Sequence, residues 1–394
     1  MEKKISLAML FCFLASIPIA LFFPDFMLKS KPLGDYFLII LKSFVPFLIF
    51  STISFSIASF SSGSNLQKMV PLTLILYLIS TIIAISISLF VSSNVNFGIN
   101  PGIAEGLVIS KVVELDVSSI FSPLSPNDGN FIELLFNGNP LVIMLFAVLF
   151  GLIVRFFSNS SNNPVQKFLL KFNYISLKII TYFMLFAPIA IYAIFGNLII
   201  NSDINIILSL IKFVVVSIII FVAYFLIVHG SILKLLLNES ILSFFNKIKS
   251  TLFFAFISSS SAATIPFTIK TAEDNLKINK EITNFVIPIG ATVNMDGSAI
   301  YLGIAAVFVS QLIGLDLSVF QYALILITAT IGSIGAAGVP SVGLVMMTIV
   351  FTAIGIPIEA IAILAGVDRI LDMFRTSLNV AGDLLISKIV CKYC

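Results

Sequence analysis

The sequence predicts an all-α polytopic membrane protein, and three observations carry that prediction. Of 394 residues, 59% are hydrophobic and only 10% charged, with a mean hydropathy of +1.14. A soluble globular chain carries about 25% charged residues. Apolar stretches long enough to cross a bilayer as helices, about 20 residues each, recur from end to end. Glycine and proline interrupt them as helices permit, unlike the short alternating segments of an outer-membrane barrel.

In chain order the stretches lie at about 5–25, 36–60, 69–94, 130–157, 172–200, 204–236, 282–312 and 359–390. "MEKK" before the first one invites a signal-peptide reading. The apolar run Ile5–Phe23 is long for a signal core and no small-residue cleavage site follows, so it is read as a retained helix. Lysine and arginine placement gives the orientation. Lys3 and Lys4, then "SSGSNLQKM", Arg155, Lys167, Lys171, Lys247, Lys249, Lys270, Lys277, Lys280, Lys388 and Lys392 fall on one side; Asp203 and Asp316 mark the other. Lys29 and Lys31 are exceptions. Both termini are therefore expected in the cytoplasm, in the inner membrane of a bacterial cell. The net charge of +3 resides in these loops and gives no reason to invoke nucleic acid.

Cys12, Cys391 and Cys394 offer no disulfide framework, and the terminal "CKYC" lacks partner ligands for a metal. His229, in "IVHGSILK", is the single histidine and reads as an interfacial residue near the inner end of its helix. With that histidine off the polar stripe described below, no nucleophile–base pair or metal cluster emerges, and an enzyme is not expected.

Two apolar segments break the helical pattern. The span 242–275 is interrupted by "SSSSAATIP" and the span 318–358 by "GSIGAAGVPSVG". Irregular backbone at membrane depth survives only inside protein or along a cavity. Each break is followed by a long helix with polar residues, so the two units read as re-entrant helical hairpins of an inverted repeat, the arrangement that marks transporter sites. The helix at 282–312 contains "GATVNMDGSAIY", in which Asp296 is flanked by Asn294 and Gly297. Asn, Asp and Gly are poor helix formers. Local unwinding there would set carbonyl oxygens beside a carboxylate, as a small hard cation requires.

The last helix carries "DRILDMFRTSLNVAGD" at 368–383. At 100° per residue, Asp368, Asp372, Arg375, Thr376, Asn379 and Asp383 share a stripe about 100° wide. Lipid-facing charges at the bilayer centre cost about 2.5–3.5 kcal/mol each, so the stripe must face protein and marks a substrate or ion path. Arg375 offers a planar fork for a carboxylate. Asp372, one turn earlier, suits an ammonium group. Together they describe an acidic amino acid, leaving Asp383 and Asp296 for cations.

"SSSSAATIP", "NMDGSAIY", "GAAGVPSVG" and "DMFRTSLNVAGD", in that order, resemble the glutamate transporter family of dicarboxylate/amino acid:cation symporters. The resemblance covers essentially the whole chain and is most specific over 255–385. It implies a glutamate-transporter-like fold of eight transmembrane helices and two hairpins, assembled as a homotrimer. Within 1–241, helices one, two, four and five would form the trimer scaffold, while helices three and six would join the moving transport domain. That domain's core would be 242–394. The resemblance implies a substrate site of Ser259, Ser260 and Ser261 in the first hairpin, Ser298, Val339 and Gly343 near the second, and Asp372, Arg375, Thr376 and Asn379. It further implies three sodium sites. Gly290, Asn294 and Asn379 with Asp383 form one. Thr292, Ser333, Ile334 and Ala336 form another. The third joins Asn294 and Asp296 to Tyr77, Ser80 and Thr81.

Many relatives carry an arginine either in the first hairpin, where this chain has Ser259, or in helix eight, where it has Met373. The expectation is that Arg369, one turn before Met373, takes over pairing with Asp372 or Asp368. The implied activity is sodium-coupled import of glutamate or aspartate, with sodium as co-transported ligand and no cofactor. The alternatives are a proton-coupled symporter, a C4-dicarboxylate symporter, or a channel or sensor reusing the fold.

Overall fold

A computed structural model describes residues 2–58, 68–98, 140–157, 164–200, 205–335 and 342–394. All regular structure among them is helical, with no strand. Helix α1 (Glu2–Phe22) leads through the short α2 (Pro24–Leu28) into α3 (Lys31–Ala58). Next come α4 (Met69–Ser93), α5 (Pro140–Phe156), α6 (Pro164–Phe183) and α7 (Ala187–Ile200). Helix α8 begins at Asn205–Ala223 and runs on through two π-helical turns, Tyr224–His229 and Leu233–Leu237. The C-terminal part holds α9 (Ile241–Ser258), α10 (Ser261–Asp274), α11 (Lys280–Val293), α12 (Asp296–Leu312), α13 (Val319–Gly335), α14 (Val342–Ile354) and α15 (Ile361–Tyr393).

Where they are described, the eight expected apolar stretches are largely helical, with breaks at Phe23 and at Asn294–Met295; residues 59–60, 130–139 and 204 lie outside. The helix expected from 36 begins at Lys31, and the largest differences fall in one stretch. The stretch expected at 172–200 begins at Pro164, which suits a first helical position because it lacks an N–H. It is interrupted by a 3₁₀ turn at Met184–Phe186, and Pro188 then sits in the first turn of α7. A proline there cannot extend the preceding helix. Among the described residues, four helical spans are long and apolar enough to cross a membrane: Met69–Ser93, Ile206–Leu237, Ile241–Ser258 and Lys280–Leu312. At 1.5 Å per residue, the 25 residues of α4 reach about 37 Å, beyond a hydrocarbon core of about 30 Å.

The core lies around α12. All its residues except Gln311 are buried, so it runs through the middle of the packed helices. Helices α4, α13, α14 and α15 pack on it. The outer helices α1, α3, α6 and α8 expose large apolar side chains such as Phe11, Tyr36, Phe168 and Ile219. The apolar surface is therefore outside and the polar residues inside, as a bilayer demands.

The first interrupted segment is a helix pair, α9 packed on α10. Its turn is built by serine chemistry. Ser259 adopts a left-handed conformation (φ 50°) and its N–H bonds Ala255 O at 2.8 Å. Ser260 then caps α10, its Oγ accepting from Ala263 N at 3.2 Å. The second segment is the pair α13 and α14. The residues joining them, 336–341, lie outside the described part.

Candidate functional site

The stretch "GATVNMDGSAIY" breaks as its composition predicts. Helix α11 ends at Val293, Asn294 and Met295 are non-helical, and Asp296 starts α12. Asp296 is fully buried. Its Oδ2 accepts from the Ser80 hydroxyl and, at 3.3 Å, from Tyr224 Oη; its Oδ1 accepts from Thr81 Oγ1 at 3.3 Å. The β-hydroxyls come from α4 because α4 packs directly on α12. Asn294 Nδ2 donates to Asp383 Oδ1 at 3.0 Å, joining the broken helix to α15. Asn294 Oδ1 has no hydrogen-bond partner. Glycines let these groups approach. A Cβ at Gly290 would strike the Asp383 carboxylate and lie 2.6 Å from Tyr77 Oη. One at Gly382 would lie 2.8 Å from Asn294 Nδ2 and 3.5 Å from Asp296 Oδ2. Two buried carboxylates therefore share a chamber walled by hydroxyl and amide groups. Tyr77 itself donates to Val286 O at 2.9 Å.

The α15 stripe forms the next layer. Arg375, 1% exposed, binds Asp372 Oδ1 through Nη2 at 2.6 Å and Nε at 3.0 Å, and Asp368 Oδ1 through Nη1 at 3.3 Å. Its Cζ lies 4.6 Å from the Tyr301 ring centroid. Asp368 Oδ2 has no hydrogen-bond partner. Arg369 Nη1 is 3.8 Å from Asp372 Oδ2, so Asp372 stands between two guanidinium groups. Asn379 Oδ1 accepts from Gly297 N at 2.8 Å, and Asn379 Nδ2 lies 3.5 Å from Ser298 Oγ. Thr376 is buried on the same helix. Gly343, at the start of α14, touches Arg375: a Cβ there would strike Nη1.

Geometry of this kind calls for comparison with known proteins. A sequence profile of the sodium:dicarboxylate symporter family matches residues 1–393. The chain belongs to the sodium:dicarboxylate symporter family. Mouse excitatory amino acid transporter 3 is 37% identical over 284 residues, 71% of this chain and 54% of the mouse protein. Mouse excitatory amino acid transporter 2 is 37% identical over 62% of this chain and 43% of its own length. Excitatory amino acid transporter 1 of Ambystoma tigrinum is 37% identical over 64% and 47%. The matches span about half the length of these curated relatives.

In this symporter family member the expected residues that are described fall into four groups. Tyr77, Ser80, Thr81, Gly290, Asn294, Asp296 and Asp383 meet in the carboxylate chamber. Ser298, Gly343, Asp372, Arg375, Thr376 and Asn379 lie along the adjoining α15 stripe. Ser259, Ser260 and Ser261 form the first hairpin's turn, and that hairpin reaches α15 through Ser377 Oγ to Leu252 O (3.0 Å) and Phe256 against Phe374 (5.0 Å). Thr292 and Ser333 sit on α11 and α13, which pack together; their hydroxyls donate to Ile289 O (3.0 Å) and Thr330 O (2.8 Å). Ile334 lies in the last turn of α13. Ala336 and Val339 are outside the described residues.

Two residues of the chamber were not foreseen, Tyr224 and His229. His229 is not interfacial: it is 0% exposed and its Nε2 lies 3.8 Å from Asp296 Oδ2. The correction has a geometric cause. In an α-helix, residues five apart stand about 140° from each other, whereas a π-helix closes its hydrogen bonds at i+5 and stacks them. The π-helical stretch Tyr224–His229 therefore turns both side chains to Asp296. No residue pattern signals a π-helix; a lone histidine within an otherwise apolar span was the available hint.

Proposed function

We propose that the protein is a secondary active symporter that imports glutamate or aspartate with sodium, by alternating access of a mobile transport domain. The observation that carries this reading is the fully buried Arg375, stacked on Tyr301 and flanked by acids, on the helix that also brings Asp383 to Asn294 beside Asp296. A buried guanidinium with a carboxylate-matched fork is the element an anionic ligand needs. Asp372 then receives the amino group, and Thr376, Asn379, Ser298 and the serine turn Ser259–Ser261 complete the pocket under the second hairpin's Val339 and Gly343. Arg375 is held by Asp372 and Asp368. An entering side-chain carboxylate takes over part of that fork and frees Asp372 for the amine.

Sodium ions occupy three sites in this reading. Asp383 with the backbone of Gly290, Asn294 and Asn379 supplies one. Thr292, Ser333, Ile334 and Ala336 supply the second. Asp296 and Asn294 with Tyr77, Ser80 and Thr81 supply the third. Neutral hydroxyl and amide oxygens around a buried carboxylate suit a hard monovalent ion. Asn294 Oδ1, buried and without a hydrogen-bond partner among the described residues, is such an oxygen. The pairs α9/α10 and α13/α14 act as re-entrant hairpins of an inverted repeat. The fold thus has eight transmembrane helices, with residues 242–394 as the transport core and helices one, two, four and five as scaffold of a homotrimer. Both termini face the cytoplasm.

Uptake of radiolabelled aspartate and glutamate into proteoliposomes, under separately imposed sodium and proton gradients, tests the reading. Sodium-driven uptake is expected. Uptake driven by protons alone would overturn the cation assignment, and preference for a C4-dicarboxylate without an amine would overturn the role of Asp372.

A further inference from the structure

His229 is the chain's single histidine, and neither ring nitrogen has a hydrogen-bond partner among the described residues although the side chain is wholly buried. Such a group is costly to leave unmade, and an apolar residue would fill its place better. The ring is held edge-on by Tyr224 (centroids 5.2 Å) and Phe225 (5.8 Å), and its Cε1 would lie 3.8 Å from a Cβ on Gly382. Its Nε2 faces Asp296 Oδ2 at 3.8 Å, just beyond hydrogen-bond distance. The π-helical stretch that presents it runs from Tyr224 to His229 and so begins with the other unforeseen donor to the same oxygen. π-Helical turns inside α-helices gather at functional sites.

The donors now on Asp296 explain what His229 is for. The hydroxyls of Ser80 and Thr81 donate to the carboxylate. An ion bound between those oxygens and Asp296 needs their lone pairs. A hydroxyl that turns a lone pair to an ion shared with the carboxylate cannot keep its O–H in line with that carboxylate. Asp296 then loses donors as it gains the ion. We propose that His229 is a positioning residue of the Asp296 cation site: its Nε2–H closes on Oδ2 when the ion arrives and holds the carboxylate in its ligating orientation. This rests on the sodium reading above and adds a residue to it from a helix that supplied none.

The test is sodium-dependent thermal stabilisation of the purified full-length protein at neutral pH, with no transport required. His229→Leu and His229→Met remove the donor, and the flexible methionine is read alongside so that neither variant alone decides. His229→Gln keeps an N–H. In the leucine and methionine variants the sodium concentration for half-maximal stabilisation is expected to rise about tenfold, as for loss of one hydrogen bond to a charged group. Stability without sodium should be unchanged or higher, which a merely structural residue would not give. The glutamine variant should return to within about threefold of wild type. An unchanged half-maximal concentration in the apolar variants overturns the proposal. So does a glutamine variant as impaired as they are. A wild-type protein that sodium does not stabilise at all fails differently: it overturns the sodium reading itself, and the role of His229 with it.

Discussion

Arg375 concentrates the chemistry of the α15 stripe, and its three bonds are unequal. Asp372 takes two of them, at 2.6 and 3.0 Å, while Asp368 takes one at 3.3 Å. Removing one partner of a buried ion pair leaves a charge uncompensated, at about 3–5 kcal/mol. Asp372→Asn is therefore expected to lower the melting temperature of the detergent-solubilised protein more than Asp368→Asn; the reverse order would contradict the geometry. Arg375→Lys keeps the charge but loses the fork, so affinity for acidic amino acids should fall about 10- to 100-fold in a binding assay, the worth of one charge-assisted hydrogen bond. Arg369 adds a second cation beside Asp372 at 3.8 Å. If it takes over the role of the arginine absent at Ser259 and Met373, Arg369→Ala should slow uptake and weaken substrate binding. Wild-type kinetics in that variant would leave it a bystander.

Helices broken at chosen points hold these side chains in place, and the breaks were legible to different degrees. "NMDGSAIY" announced its own unwinding, because Asn, Asp and Gly resist the helix, and the observed gap falls on Asn294 and Met295. "SSSSAATIP" announced a turn, and Ser259 and Ser260 build it. The π-helical register of α8 was hidden: an apolar run satisfies α- and π-hydrogen bonding equally, so the chamber's share of Tyr224 and His229 emerged only in three dimensions. The 3₁₀ turn at Met184–Phe186 was hidden for the same reason. Glycine at the break between α11 and α12 is testable. A Cβ on Gly297 would lie 2.8 Å from Arg375 Cα and 2.9 Å from Arg375 C, backbone atoms that cannot step aside. At Gly332 the nearest atoms are side-chain tips of Ile349 and Met346, both 3.9 Å away. Gly297→Ala should cost 1–3 kcal/mol or more through overpacking, about the scale at which folded yield collapses, whereas Gly332→Ala should be tolerated. Size-exclusion profiles of the two variants give the comparison.

Across the whole molecule, the polar interior needs its helices pinned where they leave the membrane, and one cluster does this at the end carrying the basic loops. Glu239, in the break between α8 and α9, binds Lys247 of α9 at 2.6 Å and Lys388 of α15 through its other oxygen. Lys392 adds a bond to Leu236 O at 2.6 Å. Three elements are joined through one carboxylate. Burial pushes the Glu239 carboxyl upward, but hydrogen bonds and charge from the two lysines outweigh it and hold the group below the ordinary 4.5. A carboxyl depressed in the folded state stabilises fully above its unfolded value. That contribution is lost as pH falls through 4.5 toward the folded value. The melting temperature of wild type should therefore exceed that of Glu239→Gln by a constant margin from about pH 8 to about pH 6, and the margin should shrink below about pH 5. The two lysines should not count equally. Lys247 is 41% exposed and Lys388 20%, so water and salt screen the first pair more. Lys247→Ala should cost about 1 kcal/mol or less, as exposed pairs do, and Lys388→Ala more. Equal losses, or a Glu239→Gln margin that grows in acid, would mean that packing rather than charge closes this end of the molecule.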